Sequence, residues 1–451
     1  MNFLNTPYRG IINNLCEKLT NQFTLPVIST TTLYISIFIF CIPLIIIVIL
    51  YEREQARLIA EQPKGCRKLG MKIKTNLANE FDKKFSEGRP PSSEETSAEW
   101  WRLKSLWIYP VKGCGGVELN RGTIISTGME YDRQFTFAQL RSPFPVALHT
   151  PEKEKSAHTW ECVTQKDFPR LARVRTEMWV PDQSTDTYSP HAEDVESGGV
   201  IIISFPYQEL GWRGLFAKWG AALRGAVPEM EFRVPFDPSP AQIEKSGYKA
   251  ENMNIWNETI TALNLEIEIP EEMRYYLGIS NKLGLFRLCN TSNNSELQSQ
   301  NLGGGKPELE TISGFQDVYP IHLVNLASIR DIESKMVKTR TTPRLSAANF
   351  RANLIITGPD AYHENCWRRI KIGFYEYDVV PRTSRSKGSK SEIDGKKCQD
   401  GTIWNYRTED EGPGLDVLTL GMNMIPLSKE AALRVGDEIL LLEIDAHCNI
   451  D

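Results

Sequence analysis

The sequence predicts a β-rich α+β protein with one N-terminal transmembrane helix, and three observations predict it. From Trp101 onward apolar residues fall into short alternating runs of strand length: LKSLWIYPV, VELNRGTIIST and RQFTFAQL. Between the runs stand turn signals, KGCGG, Asn120 to Gly122 and Thr127–Gly128, where glycine supplies the backbone freedom a tight reversal needs. Far upstream, no charge occurs between Lys18 and Glu52, and LYISIFIFCIPLIIIVIL fills residues 33–50. Extended back to Val27, that stretch is long enough to cross a hydrocarbon core of ~30 Å as a helix, which Pro43 would at most kink.

Composition sets limits on class. With 451 residues, 41% hydrophobic and 24% charged, the chain holds material for roughly two or three soluble domains. A net charge of −5 leaves no broad basic field to release counterions from phosphates, so no nucleic acid is expected as a partner. The nine cysteines are scattered, odd in number and without a CxxC pair. That suggests neither a zinc site nor a disulfide framework, and it favours a reducing compartment.

In chain order, residues 1–26 read as an N-terminal tail and 27–51 as the membrane anchor. The run is too long, too far from the start and too poor in small flanking residues for a cleaved signal peptide. Lys18 precedes it, whereas Arg53, Arg57, Lys64, Arg67 and Lys68 follow, so the positive-inside tendency turns the C-terminal part to the cytosol. Sequons at Asn257, Asn290 and Asn293 would argue the reverse if used, but the charge bias carries more physical weight. Residues 52–99 read as a polar linker: YEREQARLIAEQ extends the helix and RPPSSEETSAE has the Pro/Ser/Glu bias of a chain that buries little. The folded region is expected to begin near Trp100.

Two stretches carry chemistry. In YDVVPRTSRSKGSK, residues 377–390, a strand is expected to end at Pro381, which lacks a ladder donor, and to release Arg382, Thr383, Ser384, Arg385 and Ser386 into a loop. Such a loop suits an anion; the plainer alternative is a solvated exit whose arginines pair with surface carboxylates. Lys112, between ProVal and GlyCysGlyGly, can join its ammonium to nearby amide N–H groups, or be an ordinary turn lysine. Asp132 and Arg133 open the next strand. His322 and His363 read as hydrogen-bonded core histidines, Cys366 as a small buried hydrophobe, and WRGLFAKWGAALRG, residues 212–225, as an amphipathic helix facing a core or a membrane surface. Rossmann, P-loop, GxSxG and zinc signatures do not occur.

LWIYPVKGCGGVELNRGTIISTGMEYDRQF resembles the N-terminal β-barrel part of MOSC proteins, the group that includes the mitochondrial amidoxime reducing component. TQKDFPRLARV (residues 164–174) resembles that family's next strand pair, and YYLGISNKLGLFRL (275–288) the segment before its domain junction. FQDVYPIHLVNLASIRDI (315–332), FRANLIITG (350–358), AYHENCWRRIKIG (361–373), the TSRS stretch and LRVGDEILLLE (433–443) follow in the family's order. GCRKLG at 65–70 and the single apolar span are similar to the fungal branch. The resemblance implies a MOSC N-terminal barrel domain at 100–314, including an insertion over 184–310, and a second MOSC barrel domain at 315–451.

It further implies a molybdenum–pyranopterin cofactor in a cleft between the halves. Lys112 with Gly113, Arg133, Arg351 and Asn353 would contact it, Val318 and Tyr319 would offer backbone amides, and Ser384 a hydroxyl. An anionic pterin tail calls for converging cations and N–H donors, with arginine favoured for its planar fork. Where the family carries a metal-ligating cysteine, this chain has Ser386, which is therefore the candidate metal-ligand and catalytic position. A serine hydroxyl is a poor substitute for a thiolate on a soft molybdenum centre. Two functions follow. One is a membrane-anchored reductase of small N-hydroxylated molecules, fed by a cytochrome b5-type donor, with the mitochondrial outer membrane or alternatively the endoplasmic reticulum as its place. The other is a non-catalytic cofactor-binding or carrier protein. Pyridoxal phosphate, associated with the family through its sulfurase fusions, has no supporting feature here.

Overall fold

The computed structural model describes residues 62–71, 74–86, 101–142, 158–207, 227–255, 258–288, 315, 319–335, 344–386, 392–393, 396–397 and 417–444, with scattered positions within 29–49 and at 214 and 218. Residues 1–62 and 63–451 form separate compact units. In the first, the described positions from Thr31 to Ile49 have helical backbone, and Phe38, Ile39, Ile45 and their described apolar neighbours are exposed. Among the described residues no helix is long and apolar enough to cross a membrane. Most of the expected span, like most of residues 212–225, lies outside the described residues.

The second unit is β-rich with few helices. Numbered in chain order, β1 (Cys66–Lys68), β8 (Arg175–Pro181), β9 (Val200–Pro206) and β10 (Glu229–Pro235) form one antiparallel sheet. A closed barrel joins β11 (Lys249–Ile255), β12 (Glu258–Asn264), β13 (Leu283–Leu288), β6 (Phe135–Arg141) and β7 (Thr159–Cys162). An eight-stranded sheet runs in the order β22 (Ile439–Ile444), β16 (Trp367–Ile372), β17 (Tyr375–Ser386), β20 (Val417–Pro426), β14 (Ile321–Asn325), β15 (Leu354–Thr357), β2 (Arg102–Ile108) and β3 (Val117–Leu119). β21 (Glu430–Arg434), β4 (Arg121–Ile125) and β5 (Gly128–Met129) make a smaller sheet, and β18 (Glu392–Ile393) pairs with β19 (Lys396–Lys397). The helices are α1 (Lys83–Ser86), α2 (Glu193–Glu196), α3 (Pro240–Ser246), α4 (Glu271–Leu277) and α5 (Leu326–Lys335).

Burial follows the pleat. β8 alternates exposed and buried along its first positions, so Thr176, Met178 and Val180 face one core. β9 is buried on both faces, as its run VIIISF requires, and with Phe135, Phe137 and Leu285 it builds the first core. Leu106, Leu323, Leu354 and Met422 lie in the second core, under the eight-stranded sheet. α3 shows how a short helix is fixed at both ends: Ser239 and Gln242 form a capping box, Pro240 occupies the first turn, and Gly247 closes the helix at φ 74°.

Several expectations are corrected. The folded region starts at residue 63, not 100: β1 pairs with β8, Leu77 is buried beside α5, and Phe85 O accepts from Thr357 Oγ1 at 2.6 Å. The division at 314/315 does not separate the sheets, because β2 pairs with β15 and β4 with β21 across it. The second expected barrel is, in its described ladder, an open eight-stranded sheet. Residues 164–174 form no strand pair but lead into a 3-10 turn, Pro169–Arg173. The 184–310 insertion contributes β9 to β13, hence most of the closed barrel. Pro381 does not end its strand: β17 continues to Ser386 because the register slips between Val380 and Arg382, a bulge that spares the proline a ladder bond. Cys366 is half-buried and disulfide-bonded, whereas the scattered cysteines suggest no disulfide framework and position 366 reads as a small buried hydrophobe.

Because Leu77 packs with Ile329, Ile332 and Phe350 in one cluster, Leu77→Ala should destabilise the unit by about 2–4 kcal/mol through lost contacts and a cavity. Urea unfolding of residues 63–451 measures this; an unchanged midpoint would show that residues 74–86 are not part of the core.

Candidate functional site

The site grows from the end of β2. Beyond Ile108, the amide of Tyr109 donates to Asp132 Oδ1 at 2.7 Å, and Asp132 is fully buried. The turn at 109–112 and the turn at 131–135 are then laced together: Arg133 N donates to Tyr109 O (2.8 Å), Phe135 N to Pro110 O (3.1 Å) and Lys112 N to Phe135 O (2.7 Å). Gly113 sits at φ 83°, and a Cβ there would fall 2.4 Å from Leu171 Cδ2, so only glycine fits under Lys112.

Arg133 pairs with the second oxygen of Asp132. Its guanidinium also donates to Asn353 Oδ1 (3.2 Å) and to Arg351 O (3.3 Å), and lies 5.3 Å from the Tyr109 ring centre. Arg351 closes a 3-10 turn, Ala347–Phe350, donates from Nη1 to Cys114 O, and rests 4.5 Å from the same ring. Two guanidiniums thus lie against one phenol ring. Lys112 Nζ donates to Phe315 O at 2.8 Å, while Phe315 N donates to Arg133 O at 2.6 Å. Of the four described non-glycine residues with positive φ, two are these arginines, at 49° and 53°. Backbones held in that region by their surroundings cluster at binding and catalytic sites.

Asn353, fully buried, sets this arrangement. Its Oδ1 accepts from Arg133 and from His322 N (3.2 Å), and its Nδ2 donates to Trp107 O (3.2 Å). Its own backbone receives Trp107 N–H (2.8 Å) and donates to His322 O (2.9 Å). β2, β14 and β15 are pinned by one residue.

Lys112, Arg133 and Arg351 meet in this junction, where the buried carboxylate of Asp132 pairs with Arg133. Burial first, and then the charge of Arg133, pull the Arg351 guanidinium below its ordinary range, against partial relief from Tyr109, Cys114 and Asp132. A bound anion would remove that deficit. The Cys114 thiol is pushed up to about 12 by burial, with Arg351 opposing, so it stays a thiol.

The structure therefore brings Lys112, Gly113, Arg133, Arg351 and Asn353 together. Tyr319, partly buried, follows Phe315 by four positions, and Val318 lies outside the described residues. Ser384 and Ser386 stand elsewhere by register. Arg382 pairs with Met422, which pairs with Leu323, which pairs with Leu354, whereas Ser384 and Ser386 pair with Thr419 and Val417, past the Asn325 end of β14. Arg351 and Asn353 lie at the opposite end, before β15. At ordinary strand spacing and rise this separates Ser386 from Asn353 by about 25 Å in a flat sheet. The side chains of Ser384 and Ser386 lie outside the described residues. Among the described residues no group of three or more His, Cys, Asp or Glu side chains is placed to hold a metal. Tyr109 and Phe315 were not legible as site residues: one acts through its ring face, the other through its carbonyl, and neither leaves a pattern in sequence.

Comparison with known proteins adds two domain matches: the MOSC N-terminal beta barrel domain over residues 100–197 and the MOSC domain over residues 311–440. The molybdenum cofactor sulfurase of Arabidopsis thaliana is 21% identical over 283 residues, 60% of this chain and 26% of that one, so this chain spans about a quarter of its length. The mitochondrial amidoxime reducing component 2 of Homo sapiens is 23% identical over 349 residues, covering 75% of this chain and 82% of that one. The human mitochondrial amidoxime-reducing component 1 is 34% identical over 134 residues, 28% of this chain and 38% of that one.

Asn353→Ala strands the His322 amide and the Trp107 carbonyl at once, and should cost about 2–4 kcal/mol at the usual penalty per buried group. Chemical denaturation checks this, and a loss below about 0.5 kcal/mol would show that the three strands are pinned elsewhere.

Proposed function

The chain is a MOSC-domain protein, with the MOSC N-terminal barrel domain and the MOSC domain in one polypeptide, and on that premise we propose that it binds the molybdenum–pyranopterin cofactor at the Lys112–Arg133–Arg351 junction. The observation that carries this reading is the pair of guanidiniums on the Tyr109 ring, joined by an ammonium two residues from Cys114 O and opposed in direct contact by Asp132. Such a cluster fits the phosphate of a pterin tail, with the planar forks of Arg133 and Arg351 giving orientation and Lys112 a movable charge. Asn353 holds Arg133 in place and the amides of Gly113 and Tyr319 would extend the cradle, whereas Ser384 stands away from it by its register on β17. When bound, the cofactor supplies two-electron chemistry at molybdenum.

The metal end fits less well. Ser386 replaces the family's thiolate, its backbone stands at the far end of the sheet from Arg351, and Cys114 is a buried thiol. No reduction step follows from the described side chains, so cofactor binding or carriage is the reading the geometry supports best. A second reading, reduction of N-hydroxylated small molecules with a cytochrome b5-type donor, is favoured by similarity extending over 82% of the human amidoxime reducing component 2. In either case the apolar run at 27–51 serves as the anchor and the C-terminal unit faces the cytosol, at the mitochondrial outer membrane or the endoplasmic reticulum. What supports this is the run of uncharged residues and the basic residues that follow it.

Residues 63–451 purified from a cofactor-competent host should carry pterin, detected as its fluorescent oxidation product, and Arg351→Ala should lower retention about tenfold or more, as expected for a lost charge-assisted contact. Absence of pterin from the wild type overturns the reading. Ser386→Cys should raise molybdenum per pterin, because a thiolate beside Arg385 and the metal is a better soft ligand; equal metal content in both proteins would show that position 386 does not ligate. Protease added to intact organelles should remove the C-terminal unit, and full protection would reverse the orientation.

A further inference from the structure

The segment at 74–86 runs into the second half of the protein and ends on the loop that carries Arg351. Glu80, 3% exposed, accepts the Ala347 amide at 2.8 Å. Ala347 opens the 3-10 turn whose last residue hands over to Arg351 at φ 53°. Four residues of hydrogen-bonded turn therefore separate the Glu80 carboxylate from the guanidinium on Tyr109. Through the same side chain Glu80 faces Arg330 at 3.5 Å, and Phe81 lies beneath two guanidiniums, 4.5 Å from Arg330 and 3.8 Å from Arg344.

The other side of that loop is gripped by α5. Glu333 accepts the Leu345 amide (3.0 Å) and pairs with Arg330 (2.5 Å) and Arg344 (3.3 Å), while Arg330 also donates to Leu345 O. Burial alone would raise the Glu333 carboxyl, but the Arg344 and Leu345 hydrogen bonds and the nearby guanidinium charges outweigh it and hold it below the usual range. The strap has further holds at its two ends: Lys104 Nζ donates to Asn79 Oδ1 (2.7 Å), and Thr357 Oγ1 to Phe85 O (2.6 Å). A polar carboxylate this deeply buried, spent on a backbone amide at the start of a four-residue turn, fixes that turn's position more than it adds to a core.

We propose that Glu80 is a positioning residue for the anion site: the strap at 74–86 sets the 3-10 turn at 347–350 and thereby the place of the Arg351 guanidinium. The inference rests on the cofactor-binding reading for its functional consequence. It also gives a segment that reads as polar linker in the sequence a role in the site, since displacement of the strap would release the turn that presents Arg351.

The test uses the 63–451 protein with Glu80→Ala, Glu80→Gln and Asn79→Ala, the last an exposed position on the same strap whose side chain binds Lys104 rather than the turn. Retention of metal-free pyranopterin monophosphate is measured well below the unfolding temperature of each variant, beside amide hydrogen exchange at residues 347–351. Glu80→Ala should weaken retention about tenfold, the scale of one buried charge-assisted bond, and speed exchange at 347–351. Glu80→Gln, which keeps an acceptor for the Ala347 amide, should restore most of both, and Asn79→Ala should change neither. Wild-type retention and exchange in Glu80→Ala, or equal losses in Asn79→Ala, overturn the proposal. If the wild type itself holds no pterin the cofactor reading fails, and exchange at 347–351 alone decides whether Glu80 sets the turn.

Discussion

The structure depends on one amide side chain at the seam between β2, β14 and β15. Asn353 satisfies a donor and an acceptor of two neighbouring segments while its backbone continues both ladders. Buried polar groups must be paired or they cost about 1–3 kcal/mol each, so this residue makes the seam's register unique. A slip by one residue would strand His322 N, Trp107 O and the Arg133 fork together. The N-terminal strands β2 and β3 are thereby committed to the C-terminal half, and the two halves cannot be formed independently in the way a division at residue 314 implies.

From that seam the cationic cluster follows with little further freedom. Asn353 holds Arg133, Arg133 holds the backbone of Arg351, and both guanidiniums come to rest on Tyr109 because its amide is fixed by Asp132. Burial first, and then the neighbouring charge of Arg133, lower the basicity of Arg351. Burial of like charges persists only where surrounding structure over-determines it. The positive φ values of Arg133 and Arg351 are a second cost of the same kind, located on the same two residues. Electrostatic and backbone strain coincide at the point where the carbonyls of Cys114 and Phe315 converge from different parts of the chain.

Much of this was legible in the sequence. The alternation of LKSLWI and FTFAQLR gave β2 and β6, and the glycines of KGCGG marked the turn under Lys112, whose Gly113 tolerates no side chain. Lys112, Arg133, Arg351 and Asn353 were named through the resemblance of short ordered motifs, and the structure places them side by side. What could not be read was contact made through backbone or ring faces. The Phe315 carbonyl, the Tyr109 ring and the Ala347 amide have no residue-type signature. Nor did composition show that residues 63–86 fold: the Pro/Ser/Glu bias of RPPSSEETSAE dominated its neighbourhood, while Leu77 and Glu80 are single buried positions without a period.

Pro381 shows why a local rule failed and what the failure implies. A proline removes one ladder donor, but a bulge costs only one pairing, and β17 takes the bulge and runs on to Ser386 with β20 alongside. The polar residues after the proline are thereby laid along a strand rather than gathered in a loop. The cationic side chains Lys112, Arg133 and Arg351 are therefore gathered at the seam, where Asn353 fixes Arg133, and the backbone at position 386 is set apart from it by the sheet.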